Sequence, residues 1–164
     1  MRDEKQLKAI ASKMVLKGKG ILAADESTPT CTKRFDSISV ESTFKNRNEY
    51  RNMLFTSRNI EEYISGVILF DETFKQSTTC ENKIPFVEYL NSKGIIPGIK
   101  VDGGTQDLAG FTDEKITEGL DGLKNRLEEY YNLGARFAKW RAVITIGDDI
   151  PSDACIYSNA HALA

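Results

Sequence analysis

Histidine is almost absent from these 164 residues: His161 is the only one. A zinc site built on several imidazoles is therefore excluded for this chain alone. Cysteine is scarce as well. Cys31, Cys80 and Cys155 are odd in number and far apart, so they form neither a disulfide framework nor a CxxC metal pattern. A reducing compartment is the simplest reading. No apolar run approaches the roughly 18–20 residues that a bilayer crossing needs. No apolar core follows Met1-Arg2-Asp3-Glu4-Lys5-Gln6, so the N-terminus does not read as a secretory signal. Acidic residues outnumber basic ones only slightly, with a net of −2 and a pI near 5.5. That excludes a broad attraction to nucleic acid or anionic membrane and leaves any anion site to be local. What remains is the composition of a soluble globular chain, 40% hydrophobic and 28% charged, expected in the cytoplasm.

Apolar periodicity gives the order of elements. Leu7, Ile10, Ala11, Met14 and Val15 form one stripe of an amphipathic helix over residues 3–18, ended by Gly18 and Gly20. Ile21–Ala24 is a short apolar run leading into Asp25-Glu26-Ser27. A second helix is predicted over 41–58, and Gly66–Phe70 reads as a buried strand. A short helix is predicted within 84–94. The next strand is expected to start at or after Pro97, because proline sits poorly inside a central strand. Ile116, Leu120, Leu123, Leu127 and Tyr130 or Tyr131 then mark the longest helix, capped by Gly134. Residues 135–143 are the fourth strand candidate, and a last helix follows Pro151-Ser152-Asp153. Alternating strand and helix argues for a parallel sheet, either open and doubly wound or part of a (β/α)8 barrel. A full barrel takes about 250 residues, so four units in this length favour half of one.

In such folds functional residues gather at the C-terminal ends of strands. Asp25, Glu26 and Ser27 hold such a position, though the same residues would also serve as a turn. Asp71-Glu72-Thr73 reads as turn decoration. Lys100 lies between Ile99 and Val101, where an unpaired lysine is costly. It either pairs with Asp102, which alternation puts on the same face, or binds an anion. Lys139 and Arg141, at i and i+2 on the fourth strand, are expected on one face and to need an anionic partner unless that strand is a solvated edge. Several cations around one carboxylate suit a phosphorylated substrate that undergoes proton transfer.

The motifs Gly20-Ile-Leu-Ala-Ala-Asp-Glu-Ser-Thr28, Gly66-Val-Ile-Leu-Phe70, Gly98-Ile-Lys-Val-Asp102, Gly119-Leu-Asp-Gly-Leu123 and Phe137-Ala-Lys-Trp-Arg141 resemble class I (Schiff-base) fructose-bisphosphate aldolases, in the family's order and spacing. The resemblance runs over essentially the whole chain. It implies a TIM (β/α)8 barrel, of which residues 1–164 would be the N-terminal portion, strands 1–4 of a single domain. It implies reversible cleavage of fructose 1,6-bisphosphate to dihydroxyacetone phosphate and glyceraldehyde 3-phosphate, with no metal or other cofactor. Asp25 and Lys139 match catalytic positions, Lys139 also holding down the pKa of the nucleophilic lysine. Lys100 and Arg141 match substrate-contacting cations. Ser27, Thr30, Lys33 and Arg34 match the phosphate-side segment, and Arg47 a more peripheral arginine. Pro29, Thr30 and Gly103 depart from the usual pattern.

Nothing in the chain matches the Schiff-base lysine, so the chain alone is expected to be inactive. The resemblance further implies a homotetramer for the full-length protein, and no nucleic-acid or membrane partner. The alternative is a short form that binds sugar phosphate or protein without catalysis.

Overall fold

The computed structural model describes residues 4–164; Asp3, where the predicted first helix began, lies outside them. In chain order come α1 (Glu4–Met14), β1 (Gly20–Ala24), α2 (Thr28–Asp36), α3 (Phe44–Phe55), α4 (Ile60–Tyr63), β2 (Ile64–Leu69) and α5 (Asp71–Phe74). They are followed by α6 (Phe86–Ser92), β3 (Ile96–Lys100), β4 (Gly104–Asp107), β5 (Lys115–Glu118), α7 (Leu123–Asn132), β6 (Phe137–Lys139) and α8 (Asp153–Leu163). Two compact units result. One runs up to Lys100 and resumes over Tyr130–Ala138; the other consists of Val101–Glu129 and Lys139–Ala164.

The first unit is built on a sheet of order β1-β2-β3-β6, with β1, β2 and β3 paired in parallel. Its register aligns Ala24 with Leu69 and Leu69 with Ile99, and all three are buried. The alternate positions Ala23, Ile68 and Gly98 face the other way. Ala23 is exposed and Ile68 half-buried, so helices cover one face of the sheet more completely than the other. On the less covered face, the Phe137 ring lies where side chains at Gly66 and Gly98 would have been.

β3 includes Pro97, contrary to the expectation that the strand would start at or after it. The backbone explains why. The Pro97 carbonyl accepts the Arg136 N–H at 2.9 Å, and the donor that proline lacks would have faced the turn at Gly134, before β6 begins. No ladder bond is lost. Gly134 itself has φ +111°, and behind it the Ala135 N–H reaches the Tyr130 carbonyl, the predicted glycine stop of α7.

α7 is shorter than its apolar spacing suggested. Ile116 belongs to an antiparallel hairpin, in which β4 pairs with β5, and not to the helix. Gly119 (φ +124°) and Gly122 (φ +65°) intervene, and the helix begins only at Leu123. Among the described residues the longest helix is α3, with 12 residues. In this second unit the hairpin packs against α8, whose buried Asn159 donates to the Lys115 carbonyl at 2.9 Å and accepts the Thr117 N–H at 3.4 Å. Ser152 caps α8: its Oγ accepts the Cys155 N–H at 3.2 Å and donates to Glu114 at 2.6 Å. No helix among the described residues is long and apolar enough to cross a membrane.

Candidate functional site

In the first unit, the C-terminal edge of the parallel sheet carries the candidate residues. Asp25 directly follows Ala24 in sequence, and Lys100 directly follows Ile99, so the register puts both at one level. Alternation within β3 turns Lys100 to the side of Gly98, and Asp25 lies just past the end of β1. They sit two strands apart, about 10 Å from strand spacing alone. Both are half-buried, and both have polar or charged partners in the structure.

Beyond Asp25 the chain turns at once into α2. Ser27 takes the N-cap position in extended conformation, and Pro29 fits the first turn, where its missing N–H costs nothing. Cys31 and Phe35, four residues apart, bury one side of α2, and Phe35 meets Tyr50 edge to face at 5.7 Å. The sequence reading omitted this helix, although Ser27-Thr28-Pro29 is a start signal. Ser27 Oγ bonds to Thr30 Oγ1 at 3.1 Å, bringing these two predicted phosphate-side hydroxyls together. Lys33 and Arg34 both lie exposed in the last turn of α2.

Arg34 and Arg47 are engaged with carboxylates. Arg34 pairs with Glu26, and the negative charge of Glu26 raises the Arg34 pKa. Arg47 makes a two-pronged pair with Glu72, at 2.8 and 2.6 Å, and those hydrogen bonds raise its pKa likewise. Glu72, read from sequence as turn decoration, is thus what fixes Arg47.

Arg51, which the sequence does not single out, pairs with Glu26, one of the candidate strand-end residues, and they form a buried charged contact in this unit. Arg51 is 2% exposed; its guanidinium pairs with the Glu26 carboxylate and donates to the Glu26 carbonyl at 2.9 Å. It also donates to Thr73 Oγ1 at 3.3 Å and Cys31 Sγ at 3.5 Å. Burial would raise the Glu26 pKa, but backbone hydrogen bonding, the Arg51 charge and hydrogen bond, and the Arg34 charge together bring it below its ordinary range. Burial pushes the neighbouring Cys31 thiol up. The available signal was spacing: Arg47, Arg51 and Phe55 recur every four residues on α3, and Phe55 is fully buried.

The second unit carries Lys139 and Arg141. β6 ends at Lys139, so the fourth strand does not run to residue 143 and the two cations do not share a strand face as expected. Past the strand, the Arg141 carbonyl accepts the Thr117 hydroxyl at 2.8 Å, and the Lys139 carbonyl accepts the Val101 N–H at 3.0 Å. Lys139 is half-buried and Arg141 exposed. Asp102 is buried in this unit, and its carboxylate accepts the Gly104 N–H at 3.2 Å.

Residues 6–164 match the family model described as "Fructose-bisphosphate aldolase class-I". A "Probable fructose-bisphosphate aldolase class 1" from Xanthomonas campestris is 60% identical over 159 residues, covering 97% of this chain and 47% of the relative. "Fructose-bisphosphate aldolase 4, cytosolic" from Arabidopsis thaliana is 54% identical over 147 residues, 90% of this chain and 37% of that protein. Among solved structures, the Plasmodium falciparum fructose-bisphosphate aldolase, in complex with TRAP and a small-molecule inhibitor, superposes with a TM-score of 0.92. It is 48% identical and aligns over 97% of this chain and 46% of its own. The chain thus spans about half the length of the relatives it matches, and its alternating strands and helices are those of part of a (β/α)8 barrel. The chain belongs to the class-I fructose-bisphosphate aldolase family.

Proposed function

We propose that this chain supplies the substrate-gripping and proton-handling part of an aldolase that reversibly cleaves fructose 1,6-bisphosphate to dihydroxyacetone phosphate and glyceraldehyde 3-phosphate. One observation supports the reading: in a member of this family, a carboxylate, Asp25, and a cation, Lys100, each directly follow the last paired residues Ala24 and Ile99 at the C-terminal edge of the parallel sheet. Cleaving the carbon–carbon bond requires a proton to leave a sugar hydroxyl while an iminium on a lysine accepts the electron pair. Asp25 is the base for that proton. Lys100, with Ser27, Thr30, Lys33 and Arg34, faces the phosphate side of the substrate, and Arg47 lies further out.

Lys139 and Arg141 are assigned by the Phe137–Arg141 motif. Lys139 assists proton transfer during iminium formation and depresses the pKa of the nucleophilic lysine by its charge. Arg141 contacts the sugar and phosphate oxygens. The nucleophilic lysine has no counterpart in these residues, and both units belong to one barrel domain of a longer homotetrameric protein. A cytoplasmic location is supported by relatives named cytosolic and cytoplasmic.

Steady-state kinetics on the full-length protein test the assignment of Asp25. Asp25→Asn keeps the size of the side chain and removes the base. It is expected to lower kcat by about 10²–10⁴-fold with KM little changed. A variant with undiminished kcat would remove Asp25 from the chemistry.

A further inference from the structure

Glu26 is a carboxylate with an unusual number of donors. Arg51 and Arg34 both pair with it, and the Tyr50 hydroxyl stands 3.2 Å from Oε1. Arg51 holds the backbone as well as the side chain, through its 2.9 Å bond to the Glu26 carbonyl. The same guanidinium reaches α2 at Cys31 and α5 at Thr73, and stands 5.0 Å over the Tyr50 ring. One side chain thus joins the segment after β1 to three helices. A buried ion pair is weak evidence for stability, because apolar residues of the same volume often serve equally well. It does impose directional constraints that apolar packing lacks. Here they act on the residue next to Asp25.

We infer that Arg51 and Glu26 form a positioning pair for Asp25: Arg51 clamps the residue that follows it by both carboxylate and carbonyl, and so fixes where the Asp25 side chain points. The inference rests on the proposed role of Asp25. The charges add a second consequence. Two guanidiniums against one carboxylate leave one positive charge over. Arg51 is buried, whereas the Arg34 side chain is 56% exposed, so the surplus charge is displayed on the solvent side of α2, one helical turn along from Thr30. Glu26 keeps its own charge because these partners hold its pKa down.

Arg51→Lys keeps the buried charge but cannot span two acceptors in a fork. In the full-length protein it is expected to lower kcat about a hundredfold, the scale of a small misplacement of a reacting group, with KM within about threefold. Glu26→Gln, which keeps the shape, should lower kcat less. The double variant should resemble Arg51→Lys alone, because both changes break one unit. A second readout is independent of activity. Hydrogen exchange on the full-length protein should show faster exchange at the amides of Glu26 and Ser27 in Arg51→Lys, with β2 and β3 unchanged. Unaltered kcat together with unaltered exchange at these amides overturns the inference. Faster exchange throughout the unit also overturns it, since Arg51 would then be a general fold contact. If Asp25→Asn retains activity while local exchange still quickens, the assignment of Asp25 fails and the clamp stands.

Discussion

At the scale of single residues, charge is placed where it is most constrained. Breaking a buried ion pair strands the remaining partner, at a cost of about 3–5 kcal/mol. Arg51→Ala is therefore expected to reduce unfolding stability by that amount, read from the urea midpoint at constant m-value. The same cluster sets an acid response. The Glu26 carboxyl titrates below its ordinary range in the folded chain, so the unfolded state takes up its proton first as pH falls. Its contribution is present in full above the unfolded glutamate pKa of about 4.3, and is lost as pH drops from there through the folded value. Glu114, lowered chiefly by its hydrogen bond from Ser152, acts in the same direction. Urea midpoints measured from pH 6 to pH 3 should fall over this window, and Glu26→Gln should flatten the fall. The position of Asp25 and Lys100 at strand ends was legible in the sequence, because each closes an apolar run. Arg51 was not, because its partner Glu26 lies 25 residues away and only the folded chain joins them.

At the scale of elements, glycine and an aromatic ring fit each other across strands. A Cβ at Gly98 would stand 2.3 Å from the nearest Phe137 ring atom, far inside contact distance. The ring also lies against Gly66, so it has little room to yield. Gly98→Ala is expected to cost about 1–3 kcal/mol by overpacking. Thermal unfolding checks this, and Phe137→Leu in the same chain should recover part of the loss. Runs such as Gly66–Phe70 were legible as strands, since a continuous apolar stretch has few other uses. The β4–β5 hairpin was not. Ile116 and Leu120 fall at helical spacing by coincidence, and the left-handed glycines Gly119 and Gly122 mark the true boundary. Pro97 misled for a related reason: whether a missing donor matters depends on which neighbour it would face, and that is a property of the sheet. The fourth strand was overextended because its apolar pattern continues past Lys139, whereas the Arg141 carbonyl is taken by a side chain, that of Thr117.

At the scale of the whole molecule, the chain corresponds to 47% of one relative and 46% of a solved one, and its sequence alone pointed to their family through five short motifs. Fold and family were legible together because four of those motifs span strands of the parallel sheet or their ends, while Gly119–Leu123 is the turn into α7. The relative level of Asp25 and Lys100 was less legible, since the register of β1, β2 and β3 sets it. The central claim is that these residues bind substrate and handle protons for a nucleophile that lies elsewhere in the protein. It is tested most directly by reducing the full-length protein with borohydride in the presence of dihydroxyacetone phosphate, then mapping the trapped adduct by peptide mass spectrometry. The adduct is expected on a lysine outside residues 1–164, with every lysine in this chain unmodified. An adduct on Lys100, Lys139 or any other lysine of the chain would contradict the claim.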